Sequence, residues 1–243
     1  MLQAEAIQKN YQKHLKIIDT YITDRKEQVI SMIKHMEDIY IMAPASSKTW
    51  YHNAFPGGYV EHVNRVVEYA VKQMRLYKEM GGEVDFTEED LVFAALFHDL
   101  GKLGDGDTPN YIPQTDKWRQ DKLSEMYTYN PDLDFMLIPD RSLYILQKFG
   151  ISVNQKEWLG IRLNDGVFDK ANEAYFFSNI ESSRQKTSIV SILHSADFLA
   201  SKIEYDIWKR NGGSTVSKTK KLQSSTGKRV NSSEGLSKML KNL

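Results

Sequence analysis

The sequence predicts an all-α protein, a compact helical bundle with an irregular lid and a flexible C-terminal tail. In several segments apolar residues recur every three or four positions, which is the period of an α-helix. Capping residues and Gly or Pro breakers separate these segments. The chain has 243 residues, of which 41% are hydrophobic and 26% charged, so its composition is that of an ordinary globular protein with a buried core.

Two amphipathic helices are predicted for residues 1–42, because apolar side chains recur over residues 7–22 and again over residues 29–36. Pro, Ser and a Gly-Gly pair in residues 42–58 break this period and indicate a loop. The next helix is expected to run from about Tyr59 to the second Gly-Gly pair of the chain.

Thr87 and Asp90 have the spacing of a capping box and predict the start of a helix that carries His98 at its C-terminal end. Residues 103–140 contain Gly, Pro, Asp and aromatic residues without a sustained period. We therefore expect an irregular lid there, with at most a short hairpin near residues 126–129.

Two short helices are predicted for residues 143–149 and 155–163, on either side of Gly150. After them, Thr187 can cap a long helix. The inner positions of this helix repeat with helical spacing as far as Trp208, and it is the best defined helix of the sequence.

We divide the chain into N-terminal helices (1–42), a central helical domain (43–208) and a tail (209–243). The tail carries nine Lys or Arg residues against one acid, Glu234, and too few apolar residues to order itself. Its charge could follow a polyanion such as single-stranded nucleic acid, or the tail could be a disordered extension. Four apolar residues near its end could dock a partner or form a frayed end: Leu236, Met239, Leu240 and Leu243.

The composition also limits the chemistry of any metal site. The chain has no cysteine, so histidine and carboxylate groups must supply the ligands. The N-terminus has no apolar signal region, and no run approaches the roughly 18 apolar residues that a membrane span needs. We expect a cytoplasmic protein with no membrane partner.

Three predicted helices each place a metal-binding side chain where the period predicts core: His62, the His98-Asp99 pair and Asp197. A carboxylate such as Asp197 on an apolar face costs several kcal/mol unless it is paired or bound to metal. Two nitrogens and two oxygens suit one divalent transition ion, Mn, Fe, Co, Ni or Zn. Taken alone, His62 could equally be a core histidine, and Asp197 a buried hydrogen-bonding group.

Three segments in this order carry a family resemblance: YHNAFPGGYVEHV (51–63), LFHDLGK (96–102) and ILHSADFLASKI (192–203). They resemble the H…HD…D signature of the HD-domain superfamily of metal-dependent phosphohydrolases. The HN-x-x-x-GG-x-x-EH opening is similar to the branch that contains bacterial 3′-5′ exoribonuclease HD domains and phage-borne HD proteins. The resemblance covers roughly residues 44–208 and implies an HD-type helical bundle.

The resemblance also implies roles for individual residues. The metal ligands would be His62, His98, Asp99 and Asp197. Lys102 would face the substrate phosphate, so Asp99 and Lys102 are the candidate catalytic residues. His52 and His194 match positions that are usually histidine in this branch, where they would contact substrate or support the ligands. An ordinary structural role is the alternative for both histidines.

The sequence also departs from the family pattern. Relatives in this branch often carry further histidines in segments that here read IPDRS (138–142) and IRLNDG (161–166). A second metal is therefore doubtful, although Asn164 or Asp165 could supply oxygen to a weaker ion. Arg162 could bind a substrate phosphate, or it could form a structural salt bridge instead.

These observations predict a phosphohydrolase that acts on a nucleotide or a single-stranded nucleic acid phosphoester through a metal-activated water. Its partners would be phosphate-containing small molecules or single-stranded nucleic acid. The alternatives are a regulatory HD module that binds metal or nucleotide without turnover, and a purely structural helical adaptor.

Overall fold

The computed structural model describes residues 2–177 and 180–213 and confirms the all-α prediction. Within these residues the helices are α1 (Ala4–Tyr21), α2 (Lys26–His35), α3 (Glu37–Met42), α4 (Gly58–Glu79), α5 (Glu88–Phe97), α6 (Lys117–Leu123), α7 (Ile138–Lys148), α8 (Gln155–Arg162), α9 (Glu173–Phe176) and α10 (Ile189–Arg210). The strands β1 (Tyr111–Pro113) and β2 (Tyr127–Tyr129) form one antiparallel pair. The tail predicted beyond residue 213 lies outside the described residues.

Helix α5 lies at the centre of the bundle. All of its residues from Leu91 to Phe97 are buried, so this helix is apolar on every side, as expected for a helix enclosed by others. Helices α4, α8 and α10 pack around it, and α1 also contacts α4 and α5. The N-terminal helices therefore share the core of the central domain.

The caps explain where two of the core helices begin. The predicted capping box of α5 is present: the backbone amide of Asp90 donates to Thr87 Oγ1 at 3.1 Å, and the amide of Thr87 donates to Asp90 Oδ2 at 2.7 Å. Before α4, Gly57 has a φ of +80°, and a Cβ at Gly58 would collide with the backbone oxygen of Asn53. The Gly-Gly pair therefore permits the tight entry into α4.

The predicted lid contains more regular structure than expected. The short hairpin exists, with Ile112 opposite Thr128, but its two strands are joined by α6, which the sequence analysis did not predict. Asp116 caps α6 by accepting from the amides of Trp118 and Arg119. This helix has no buried residue, so the apolar period that revealed the other helices is absent from it.

Two helix starts differ from the predicted ones. Helix α7 begins at Ile138 rather than residue 143, because Pro139 fits the first turn of a helix. The N-cap of α10 is Ser188 rather than Thr187, and no side-chain hydrogen bond caps it. Thr187 Oγ1 donates instead to Asp85 at 2.8 Å and accepts a long bond of 3.4 Å from the amide of Ile189.

Among the helices of the described residues, none combines the length and apolar character needed to cross a membrane. The long helices carry charged residues at regular intervals, as α4 and α10 illustrate.

His14 on α1 is a buried histidine far from the predicted site. Its Nδ1 lies 2.8 Å from Asn64 Oδ1 and its Nε2 lies 2.8 Å from the hydroxyl of Tyr40. A neutral ring satisfies both partners, because Nδ1–H donates to the amide oxygen while Nε2 accepts from the hydroxyl. Burial lowers the pKa of His14 to about 4.

This histidine should make the protein less stable in acid. The unfolded chain takes up the His14 proton near pH 6.5, whereas the folded chain does so only near pH 4, so stability is complete above pH 6.5 and falls as the pH drops. Between pH 7 and pH 5 we expect His14 to account for a loss of about 2 kcal/mol. Urea unfolding with EDTA present should show this loss in wild type and in the exposed His35→Gln control. An undiminished loss in His14→Gln would contradict the assignment.

Candidate metal centre

Three helices bring the four predicted ligand residues together. His62 lies in the second turn of α4, His98 and Asp99 follow the end of α5, and Asp197 lies in the middle of α10. His62 Nε2 is 3.1 Å from Asp197 Oδ1 and 3.5 Å from Asp99 Oδ2. His98 Nε2 is 3.4 Å from Asp99 Oδ2 and 3.9 Å from Asp197 Oδ1.

The hydrogen bonds of the two imidazole rings leave both Nε2 atoms available as ligands. His98 Nδ1–H donates to the carbonyl of Ala95 at 2.9 Å, and His62 Nδ1–H donates to the carboxylate of Glu204 at 3.1 Å. Since both partners can only accept, each Nδ1 carries a proton, and each Nε2 is the atom that can bind a metal ion in place of its own proton. Within the described part of the chain, both Nε2 atoms are buried and make no hydrogen bond.

This donor set fits a divalent transition ion. Ligand atoms of His62, His98 and Asp197 lie within 4.8 Å of one another, close to the separation of about 3 to 4 Å between ligands of a single ion. His52, His62 and Asp99 form a second grouping of the same kind. Buried imidazole nitrogens without a hydrogen bond, facing carboxylate oxygens, are what such an ion requires.

The electrostatics of the centre keep both aspartates ionised. Burial alone would raise the pKa of each, but Lys102 and His98 hold the pKa of Asp99 well below its usual range. His62 and His98 do the same for the pKa of Asp197. Two carboxylates therefore stay negative although Asp99 is buried and Asp197 is partly buried, which favours a bound cation.

Glu204 and Arg65 complete the centre, and the sequence analysis missed both. Glu204 is buried on α10 and accepts from Arg65 at 2.5 Å as well as from His62. Burial lowers the pKa of His62, but Glu204 and Asp197 outweigh it and raise that pKa to about 10. Helical spacing could have revealed Glu204, since it lies two helical turns after Asp197 and therefore on the same face of α10.

The centre lies at one side of an open cleft of about 600 Å³. Lys102 lines this cleft, with its Nζ 2.5 Å from Asp99 Oδ2 and 3.4 Å from His52 Nε2. Burial, Lys102 and His62 lower the pKa of His52 to about 3, so its ring is neutral and accepts from the lysine. The rings of His52 and His62 lie 4.7 Å apart. The structure therefore brings both His52 and Lys102 to the predicted ligands.

His194 and the segment IRLNDG also reach the cleft. His194 Nδ1–H donates to the carbonyl of Asn164 at 2.6 Å. Its ring lies against Gly166, where the φ of +56° and the nearby ring leave no space for a Cβ. Asp165 lines the cleft, and burial together with the charges of Asp99 and Asp197 raises its pKa to about 6. A third aspartate therefore lies beside the predicted ligands.

Among the predicted substrate-binding residues, Arg162 does not line the cleft, whereas His52, Lys102 and His194 do. Its guanidinium pairs with Asp140 at 2.8 Å and Asp169 at 3.4 Å, and it donates to Asn172 at 2.6 Å. It is not among the described residues that line the cleft. These partners engage its Nε and Nη1, so the structure contains the salt bridge that was the alternative to phosphate binding.

The four ligand-type side chains come from helices that are far apart in the sequence, and their convergence is a property of the fold. No protein-family model matches the chain, and neither a curated protein nor a solved structure matches it. The geometry of the centre is therefore the observation on which a functional proposal must rest.

Replacing Glu204 should weaken metal binding without removing a ligand. Glu204→Gln keeps the size of the side chain but removes the charge that orients His62, and outer partners of this kind typically contribute about 10- to 100-fold to metal affinity. Competition of the protein with a chelating dye for Mn²⁺, Co²⁺ and Zn²⁺ would measure the change. Glu61→Gln is the matched control, because Glu61 also pairs with Arg65. An equal effect of the two substitutions would contradict the role of Glu204.

Proposed function

We propose that this chain is a metal-dependent phosphohydrolase of the HD type, acting on a nucleotide or a single-stranded nucleic acid phosphoester. The observation that carries the proposal is the convergence of two imidazoles and two aspartates beside Lys102 at an open cleft. The order of these residues in the sequence also resembles the H…HD…D signature. One ion of Mn, Fe, Co, Ni or Zn is the proposed cofactor.

Such an ion, when bound, acts as a Lewis acid toward a phosphoryl oxygen and lowers the pKa of water. The roles of the chain's own residues follow from their positions. Lys102 carries a fixed positive charge, since Asp99 outweighs burial and raises its pKa, and it is the group that would bind a phosphate oxygen. His52 accepts from Lys102 and so orients it.

A water that attacks phosphorus must lose a proton while the bond from phosphorus to the leaving oxygen breaks. Asp99 is a poor acceptor for this proton, because its pKa is held well below the usual range. Asp165 is better placed, since it lines the same cleft and is not one of the four predicted ligands, so its carboxylate can take up the proton. We assign Asp165 to this role and His194 to contact with the substrate.

Activity should depend on Asp99. In a panel of phosphomonoesters, nucleotides and single-stranded oligonucleotides with Mn²⁺ or Co²⁺, Asp99→Asn should reduce turnover by about 100-fold or more, because a metal ligand contributes several kcal/mol of charge stabilisation. Asp107→Asn is the control: this exposed aspartate pairs with His35 and Lys148, and it is not among the described residues of the cleft. Equal rates for wild type and Asp99→Asn would refute the proposal.

The same panel distinguishes the non-catalytic alternative. A regulatory module would bind one metal ion, lose it in Asp99→Asn, and turn over none of the phosphoesters. A structural adaptor would bind no metal at all, which elemental analysis of the purified protein would detect.

Lys102 should contribute to phosphate binding but not to metal binding. Hydrogen bonds to charged groups contribute about 1.5 to 3 kcal/mol, so Lys102→Met should lower kcat/KM by about 10- to 100-fold. Metal affinity should not fall, because the substitution leaves all four ligands in place. Lys148→Met, which removes an exposed lysine paired with Asp107, should change neither quantity. Loss of metal together with activity in Lys102→Met would contradict this assignment.

A further inference from the structure

Aromatic side chains form much of the wall of the cleft. Three pairs line it: Trp50 with Tyr51, Tyr111 with Tyr129, and Phe168 with Phe198. Several of these rings are exposed to water, and the charged centre beside them offers no apolar surface for them to pack against. Exposed apolar groups that are concentrated in one cleft usually mark a binding surface.

Phe168 and Phe198 are the pair in this wall whose rings carry no polar atom. Their rings are nearly parallel, with an interplanar angle of 12° and centroids 6.2 Å apart. Phe168 is 72% exposed and Phe198 is 42% exposed, so neither ring contributes much to the core. Both rings have exposed area, and an exposed aromatic face is an apolar surface on which another flat ring can stack.

The position of this pair relative to the metal centre is fixed by the fold. Phe198 follows the ligand Asp197 directly on α10. Phe168 ends the turn that begins at Gly166, and its ring lies 5.9 Å from the ring of His194. A group packed against the two phenylalanines would therefore be close to a phosphate bound at Lys102 and at the ion that Asp197 would help to hold.

A cation accompanies the pair. Lys202 lies one helical turn after Phe198, lines the same cleft, and has its Nζ 5.1 Å from the centre of the Phe198 ring. An aromatic platform with a lysine beside it combines the two interactions that proteins use for nucleotides: stacking on the base and attraction of phosphate.

We propose that Phe168 and Phe198 form a base-binding subsite, in which the nucleobase of the substrate stacks on the two rings while Lys202 attracts a phosphate. The inference rests on the proposed function, which supplies the phosphate position, and it assigns the residues that would bind the nucleobase of that substrate. Phenylalanine rings have no hydrogen-bonding groups, so the subsite distinguishes a base from no base but accepts all bases.

Binding measurements with ligands that cannot be hydrolysed test the subsite separately from catalysis. Calorimetry with Mn²⁺ would compare an adenosine phosphonate with the ribose phosphonate that lacks the base. When an aromatic side chain that stacks on a base is removed, affinity falls by roughly 5- to 100-fold. Phe168→Ala and Phe198→Ala should each weaken the adenosine ligand by that factor and leave the ribose ligand unchanged, whereas Phe198→Tyr should bind as wild type.

We expect these variants to fold, because neither side chain belongs to the buried core; thermal unfolding would verify this. Phe135→Ala is the matched control, since Phe135 is 88% exposed and does not belong to the cleft as the structure describes it. It should bind both ligands as wild type does. A thymidine tetranucleotide with the same terminal phosphonate would distinguish a mononucleotide from a strand. If the alanine variants lose more affinity for the tetranucleotide than for the adenosine ligand, the base belongs to a strand; the reverse result indicates a mononucleotide.

The outcomes separate this inference from the proposed function. Equal affinity of wild type for the two phosphonates, or equal losses for both ligands in the alanine variants, would overturn the subsite even if phosphoesters are hydrolysed. Phenylalanine-dependent binding of the adenosine ligand in a protein that hydrolyses nothing would support the subsite and refute the proposed hydrolase.

Discussion

The burial of Asp99 and the partial burial of Asp197 in a helical bundle are the constraint on which the rest of the structure depends. An ionised carboxylate removed from water is unstable unless positive charge or hydrogen-bond donors meet it. The bundle meets this requirement by packing α4, α5 and α10 so that the imidazoles of His62 and His98 face both carboxylates. The angles at which these helices cross are therefore tied to the chemistry of the centre, because a shift of one helix would leave a buried charge without a partner.

The imidazoles can meet the aspartates only if their rings are held in one orientation. A backbone carbonyl fixes the ring of His98, whereas a charged pair, Glu204 with Arg65, fixes the ring of His62. The negative charge of Glu204 also increases the basicity of His62, so the two histidines are not equivalent as ligands. In the proposed function, the basicity of His62 as a ligand thus depends on Glu204, a carboxylate far away in the sequence. The ring of His98 is instead fixed by a carbonyl of the helix that precedes it.

Sequence patterns predicted the parts of this arrangement that depend on local period. The helical faces of α4, α5 and α10 were visible, and so were the polar residues His62, His98 and Asp197 that interrupt them. Features set by distant partners were not visible. The contact of Glu204 with His62 joins positions 142 residues apart, and Arg162 is paired with Asp140 in the first turn of α7 and with Asp169 before a short 3-10 turn. Helix α6 escaped prediction because it buries no face.

Helix α10 connects the core to the cleft. Its apolar positions Ile189, Leu193, Ala196 and Ala200 are buried, and a second face lines the cleft with His194, Asp197, Phe198, Ser201, Lys202 and Tyr205. The spacing of this second face, i, i+3, i+4, i+7, i+8 and i+11, is that of one side of a helix. A ligand residue, an aromatic ring and a lysine therefore keep fixed separations along one rigid element. If phosphate and base bind as proposed, the helix itself sets the distance between their two binding positions. The lid then does not have to move to bring these positions together.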